Sequence, residues 1–538
     1  MNILLINCQL EPLPGHRVQK LFFTKGGTTS LGKRLQNELP DFQPELIVQQ
    51  ELLGVRVFFQ DLWQFKCCKI FWAIDSHLNL YWQKHYATCF DLVLSPHLTL
   101  WQEAKNQDKD LPKLDRLIVP GYDQPYRPHA QRSQFGLFVG RIDQNRAQRA
   151  RFSEFLTTRH QIPRQQLNFA EMLAAYNNTR VLPNESIGRE YNFRITEGAS
   201  CGCCVLSEDI GEDLASNFKI GQEVLTYRHA LELDEQLTYL RKNQDLAKKI
   251  GQAAWVRVQK EHLPRHSWQR ILDLAQKSSI KNLSQEDNYT ACLLAAAYAM
   301  RGNNDPKNLR ETFLGNFKNA PATSKVLASQ LRLLAETGRR EDLHKLVAQI
   351  IENSCAKPVE AELNVAIQGA ALFLEDQDLL LKHQNLKNNQ VKQINFLDQA
   401  IFLARQQTEQ KKYCHQGFNF DPQMTCPETA YDFLLLATRY AKSSEDTRRL
   451  HAELFKLSQK INQPEFCLIA AADYSLEHQN DWKASLAYAI SSLRSFHVKD
   501  GQEELALAAS LAKAQGALES FSLALSQYGL KLNLDQKT

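Results

Sequence analysis

Short apolar runs alternating with amphipathic stretches fill the first half of the chain and then stop, and this change of pattern most restricts its fold. The runs "NILLIN", "ELIVQQ", "KIFWAID", "DLVLSP" and "DRLIVPG" are separated by helical patterns such as "TSLGKRLQNEL" and "LTLWQEAKN". Alternation of this kind predicts βαβ units and a parallel sheet over residues 1–130. The proline-rich stretch "PGYDQPYRPH" (Pro120 to His129) interrupts it, and a new strand, "FGLFVG" (Phe135 to Gly140), opens a second α/β block over 131–278. Beyond Ser279 the strand signal gives way to Ala and Leu at helical spacing, so residues 279–538 are expected to be all-helical.

Within that tail, "AAADYSLEHQNDWKASLAYAISSL" (Ala470 to Leu493) reads as a helix, a polar turn and a second helix carrying small Ala484 and Ala489. It resembles a tetratricopeptide-type hairpin, in which small residues allow close helix packing. No strict period recurs, so the tail reads as an irregular helical-hairpin array, with one large helical domain as the alternative.

The 64 basic and 60 acidic side chains leave a net charge of +4, which gives no electrostatic footprint for nucleic acid or an anionic membrane. No apolar run approaches the roughly 18 residues that span a bilayer. The start, "MNILLINCQLEPLPG", lacks the basic n-region and cleavage pattern of a signal peptide and reads as a first strand. The expectation is a soluble, cytoplasmic protein whose 12 cysteines are reduced and mostly buried.

The stretch "NFRITEGASCGCCVLSED" (Asn192 to Asp209) combines three cysteines with a carboxylate. Cys201, Cys203 and Cys204 have no second cluster at zinc spacing. On a strand, Cys203 and Cys204 face opposite sides, so they read as packing residues. Cys67, Cys68 and the group Cys414, His415 and Cys426 read the same way, and no metal site is expected. Glu197 lies on a predicted helix from Phe193 to Cys201, followed by a turn at Gly202 and a strand. There it suits the two hydroxyls of a ribose, with nearby helix N–H groups facing a diphosphate. Gly198 and Gly202 would admit a ligand or another backbone. The structural alternative is a first-turn Glu favoured by the helix dipole.

The residues from Phe193 to Leu272 resemble the C-terminal half of the CgeB-like (spore-maturation-type) glycosyltransferases of the GT-B fold. The resemblance rests on Arg194, Glu197 and Gly202, then Gly221, Glu223, Val224 and Tyr227, and finally His266, Ser267, Trp268 and Arg270. Upstream, "LFVGRIDQNRAQRARFSEFL" is similar to the strand–glycine–helix opening of the same domain, and "FWAIDSH" and "FDLVLSPH" match the N-terminal domain more loosely. The resemblance implies two Rossmann-like domains facing across a cleft, α/β followed here by an all-α extension. It implies a metal-independent, hexosyltransferase-like enzyme that needs no cofactor beyond a nucleotide sugar as substrate. Donor binding would fall to Gly140, Arg141, Arg146, Asn184, Arg194, Glu197 and Gly198. A base near the acceptor would come from Asp75, His77 or His16. The acceptor would be a protein or a cell-envelope glycan, docked by the helical tail. Retaining relatives carry Glu-x7-Glu, but counting back eight from Glu197 reaches Arg189, and the nearest acid is Glu190. That departure keeps a catalytically inactive scaffold as the alternative.

Overall fold

The computed structural model describes residues 1–52, 54–142, 146–301, 314–317, 319–354, 359–386 and 392–530. Packing divides the chain into two compact units, Met1–Leu117 with Trp268–Leu457, and Ile118–Ser267 with Ser458–Thr538. The divisions expected at 130/131 and 278/279 are therefore not where the units separate. Nor do the helices beyond 279 pack as one body, because those up to Leu457 belong with the first sheet and the later ones with the second.

The first unit is built on β1 (Asn2–Ile6), β2 (Arg17–Leu21), β3 (Gly27–Thr29), α1 (Leu31–Glu38), β4 (Leu46–Gln50), β5 (Val57–Phe59), β6 (Cys68–Trp72), α2 (Ser76–Ala87), β7 (Leu92–Ser95), α3 (Leu98–Gln107) and β8 (Lys113–Arg116). Six strands form one sheet in the order β2-β1-β4-β6-β7-β8, and each neighbouring pair is parallel. Ile3, Leu4, Leu5 and Ile6 are fully buried, as expected of a strand covered on both faces. Burying each such side chain stabilises the fold by about 1.5–3 kcal/mol. The last strand falls on "KLDR" rather than on the apolar "LIVPG" that follows it. β2, β3 and β5 were not legible, being short and flanked by polar residues.

Helix α11 (Gln285–Arg301) docks onto this unit through Asn288, whose Nδ2 donates to the Phe59 carbonyl at 2.9 Å while its Oδ1 accepts from the Trp63 N–H at 3.1 Å.

The second unit contains β9 (Gln134–Gly136), β10 (Phe138–Val139), α4 (Ala147–His160), β11 (Arg164–Gln165), α5 (Phe169–Asn177), β12 (Thr179–Asn184), α6 (Phe193–Ser200), β13 (Cys204–Glu208), α7 (Glu212–Ala215), β14 (Leu225–Tyr227), α8 (Ala230–Lys242), α9 (Gln244–Glu261) and α10 (Pro264–Gln276), the last crossing back to the first unit. Its four-stranded parallel sheet has the order β14-β13-β12-β9. The expected helix and strand around the three cysteines are present, with Gly202 at φ +72° making the turn between them. Cys201 and Cys203 fall in one hydrophobic cluster and Cys204 in another, the opposite-faced arrangement a strand imposes.

The helical hairpin read at 470–493 is found as helices Pro464–Glu477 and Trp482–Arg494, capped by Asp481, with Ala484 and Ala489 buried. No helix among the described residues is long and apolar enough to cross a membrane.

Candidate functional site

In the second unit, the loop following β12 leaves the carboxyl edge of the four-stranded sheet, where ligands bind in open α/β folds, and β10, paired in parallel with β11, runs on from β9. Asn184 ends β12, fully buried. Its Nδ2 donates to Ser207 Oγ at 2.9 Å, and its Oδ1 accepts from an Arg194 guanidinium nitrogen at 2.5 Å. Arg194 Nε donates to the Val139 carbonyl at 2.9 Å, and the guanidinium lies 4.6 Å from the Phe138 ring centroid. Arg194 thus ties β10 to β12 and brings its charge to that edge. Gly140 follows β10, and a Cβ there would approach Arg194 at 3.2 Å. Arg141 is exposed, and Arg146 is the N-cap residue of α4.

Glu197 stands one turn inside α6, half-buried, and among the described residues its carboxylate accepts no hydrogen bond. Burial pushes it up to about 7, opposed by the charge of Arg194. At the start of the same helix Asn192 gives no side-chain cap, because its Nδ2 donates to the Glu185 carbonyl at 3.0 Å. Among the described residues, the first N–H groups of α6 have no side-chain acceptor.

Gly198 is placed differently from the expectation. A Cβ there would fall 2.3 Å from Leu182 Cδ2 and 3.2 Å from Val205 Cγ2, so this glycine serves the packing of α6 on the sheet rather than ligand approach. The cysteines are likewise core groups. Cys203 Sγ lies 3.2 Å from the Tyr176 carbonyl, and burial raises the thiols of Cys201, Cys203 and Cys204.

Three acidic residues, of which only Glu190 was named from the sequence, follow or end strands of this sheet. Glu185, directly after β12, is buried and paired with Arg149 at 2.7 Å. Glu190 is raised by burial, with Arg149 opposing it. Glu208, at the end of β13, is pushed up to about 7 by burial and then by Glu185. The signal available for them was position, since each follows or ends a strand on the carboxyl side.

In the first unit, Asp75 and His77 follow β6 at the carboxyl edge. Asp75 is the N-cap residue of α2, yet its side chain makes no cap hydrogen bond. His77 is buried against His97, with ring centroids 5.0 Å apart. His97, the N-cap residue of α3, is held down to about 3, mainly by burial. It ends the quoted segment "FDLVLSPH" but was not singled out as a candidate. His16 is not brought to this place. It directly precedes β2, whose first residue pairs with Asn2 at the start of β1, so it lies at the amino edge of the sheet. The loop from β1 to β2 returns to that edge, and a residue at its end is carried away from the carboxyl side.

The other residues of the resemblance have structural partners. Glu223 accepts from Arg257 Nε at 3.0 Å and from the Lys219 N–H at 2.8 Å. Tyr227 Oη donates to the Asn184 carbonyl at 2.9 Å. Trp268 Nε1 donates to the Glu11 carbonyl at 2.9 Å and Arg270 to Asp115 at 2.5 Å, both within the first unit.

Residues 138–273 match a family model described as "Glycosyl transferase-like". No curated protein matches the chain. Similar solved structures include a sucrose-phosphate synthase from Thermosynechococcus elongatus, 14% identical, with 51% of this chain and 98% of that chain covered and a TM-score of 0.36. A glycosyltransferase from Rickettsia africae is 11% identical, with 48% and 85% covered and a TM-score of 0.36. Anabaena HepE, solved with UDP and glucose, is 11% identical, with 52% and 100% covered and a TM-score of 0.35.

Proposed function

We propose that this chain is a GT-B glycosyltransferase that moves a hexose from a uridine-diphosphate donor to a protein or cell-envelope glycan. The observation that carries the reading is Glu197, whose carboxylate accepts no hydrogen bond among the described residues and lies inside the segment that matches the glycosyl transferase-like model. Its two oxygens would accept the ribose hydroxyls. The uncapped N–H groups at the start of α6 would bind the diphosphate, with Arg146 and Arg194 offsetting charge as it develops on the leaving nucleotide. These fixed cations and dipoles take the part a metal plays elsewhere, so turnover is expected to survive chelation. On the acceptor side, Asp75 would take the hydroxyl proton as the acceptor oxygen attacks the anomeric carbon and the bond to the diphosphate breaks. His77 would hold the donor sugar or acceptor beside it. The helices beyond residue 279 would dock the acceptor.

The test is calorimetric titration of the full-length protein and Glu197→Ala with UDP, GDP and ADP, followed by UDP-glucose turnover. Selective binding of UDP, weakened in the variant, with release of UDP from the sugar donor, is the expected result. A ligand at 100 times its dissociation constant should also stabilise the protein by about 2.7 kcal/mol. No binding by any of the three nucleotides would overturn the reading. Binding without turnover would favour an inactive scaffold, the alternative supported by Arg189 standing where retaining relatives carry a glutamate.

A further inference from the structure

Glu51 follows β4 in the first unit and is 6% exposed. Its own N–H donates to the Trp72 carbonyl at 2.9 Å, continuing the pairing of β4 with β6. Four donors converge on its carboxylate. Oε2 accepts from the backbone N–H groups of Ile74 at 3.0 Å and Asp75 at 2.9 Å, and from Gln83 Nε2 at 2.5 Å. Oε1 accepts from Asn79 Nδ2 at 2.9 Å. Asn79 and Gln83 lie one turn apart on the face of α2 nearest Glu51. The orientation of the Asn79 amide is fixed independently, because its Oδ1 already accepts from Trp82 Nε1 at 2.9 Å and from Arg56 at 3.1 Å.

Glu51 reaches across from the neighbouring strand to the two backbone N–H groups that lead into α2, those of Ile74 and of the N-cap residue Asp75. A side chain with only acceptors is required where every partner is a donor. An amide at 51 would set its own NH2 against at least one of them, and an apolar residue would leave up to four buried donors unsatisfied.

We propose that Glu51 is the positioning residue of the acceptor side, fixing the strand-to-helix turn from which Asp75 and His77 project. The inference rests on the functional reading above for the roles of those two residues, while the contacts themselves are independent of it. Glu51 touches no substrate in this account. It acts by holding the backbone at 74–75 and the first two turns of α2 in one arrangement, and small displacements of a catalytic group are costly to rate.

The experiment compares full-length wild type, Glu51→Gln and Glu51→Ala by amide hydrogen exchange and by UDP release from UDP-glucose. UDP-binding stoichiometry gives the fraction of competent protein. In Glu51→Ala the amides of Ile74 and Asp75 should exchange at least about tenfold faster while those of β1 do not change. kcat should fall about 10- to 100-fold with KM for UDP-glucose unaltered, and Glu51→Gln should fall between. Unchanged protection at 74 and 75 would overturn the inference. So would lost protection with kcat intact, because Glu51 would then brace the turn without positioning a catalytic group. A wild type that releases no UDP would overturn the functional reading instead, and lost protection at 74 and 75 would still support Glu51 as the group that fixes this turn.

Discussion

Glu197 and Gly198 are neighbours in the sequence but answer to different demands. Glu197 is held up to about 7 by burial, so it gains a proton as the pH falls through neutrality. If the ionised form binds ribose, nucleotide affinity should weaken from pH 8 to pH 6. Glu197→Gln should lose the part of that slope not due to the diphosphate itself, as calorimetry at both pH values would show. Gly198 answers to packing. Gly198→Ala should cost about 1–2 kcal/mol through its approach to Leu182. Gly251→Ala should cost more, because its Cβ would fall 2.4 Å from the Gly202 carbonyl oxygen, and backbone yields less than a side-chain tip; thermal denaturation gives the order. Glu208 supplies a test of sign. Its folded pKa lies near 7 against an ordinary 4.5, so the folded state holds an extra proton in that window and stability is lost as pH rises through it. Glu208→Gln should flatten that dependence and leave the protein about 1–3 kcal/mol more stable at pH 8, measured by urea unfolding.

Among the elements, the buried central strands were the most legible. β1, β4, β6 and β7 each carry a run of three or four consecutive apolar residues, because both faces are covered there. β2, "RVQKL", lies at the sheet edge and half faces solvent, so its pattern carries little signal. The helix–turn–helix at 464–494 was legible because helical spacing and a polar turn are local properties. What it packs against was not. Phe496, just beyond that hairpin, lies 5.2 Å from Phe152 and 5.7 Å from Phe155, ring centroid to centroid, and joins the core beneath α4 and α8. Arg151 Nε donates to the Ser495 carbonyl at 2.7 Å, and His229 Nε2 lies 2.9 Å from the Tyr528 carbonyl. Phe496→Ala should therefore destabilise the second α/β unit by about 3–4 kcal/mol, seen as a lower melting temperature that UDP partly restores.

For the whole molecule, the important finding is that neither sheet unit is closed by its own αβ segments. Lys69 and Asp91 form a buried ion pair at 3.3 Å, and Asp91 also accepts the Lys281 N–H at 2.5 Å, so the first unit draws on the chain beyond residue 268. The second draws on the chain beyond 458. A fragment of residues 1–278 should fail to fold, exposing apolar surface that dye binding and aggregation would reveal. The two α/β blocks, the all-helical tail, the helix and strand flanking Gly202 and the packing role of its cysteines follow from the sequence, because periodicity and residue size act over a few neighbours. That Asp75 and His77 lie at the carboxyl edge of their sheet was also legible, since a residue just past a strand is committed to that edge. The sequence alone could not place His16, which depends on how far a loop returns, or Gly198, which depends on the strand beneath its helix. It also did not reveal Glu51 gathering donors from a segment more than twenty residues away. Those outcomes belong to the tertiary structure, because each is set by what another part of the chain brings within a few ångströms.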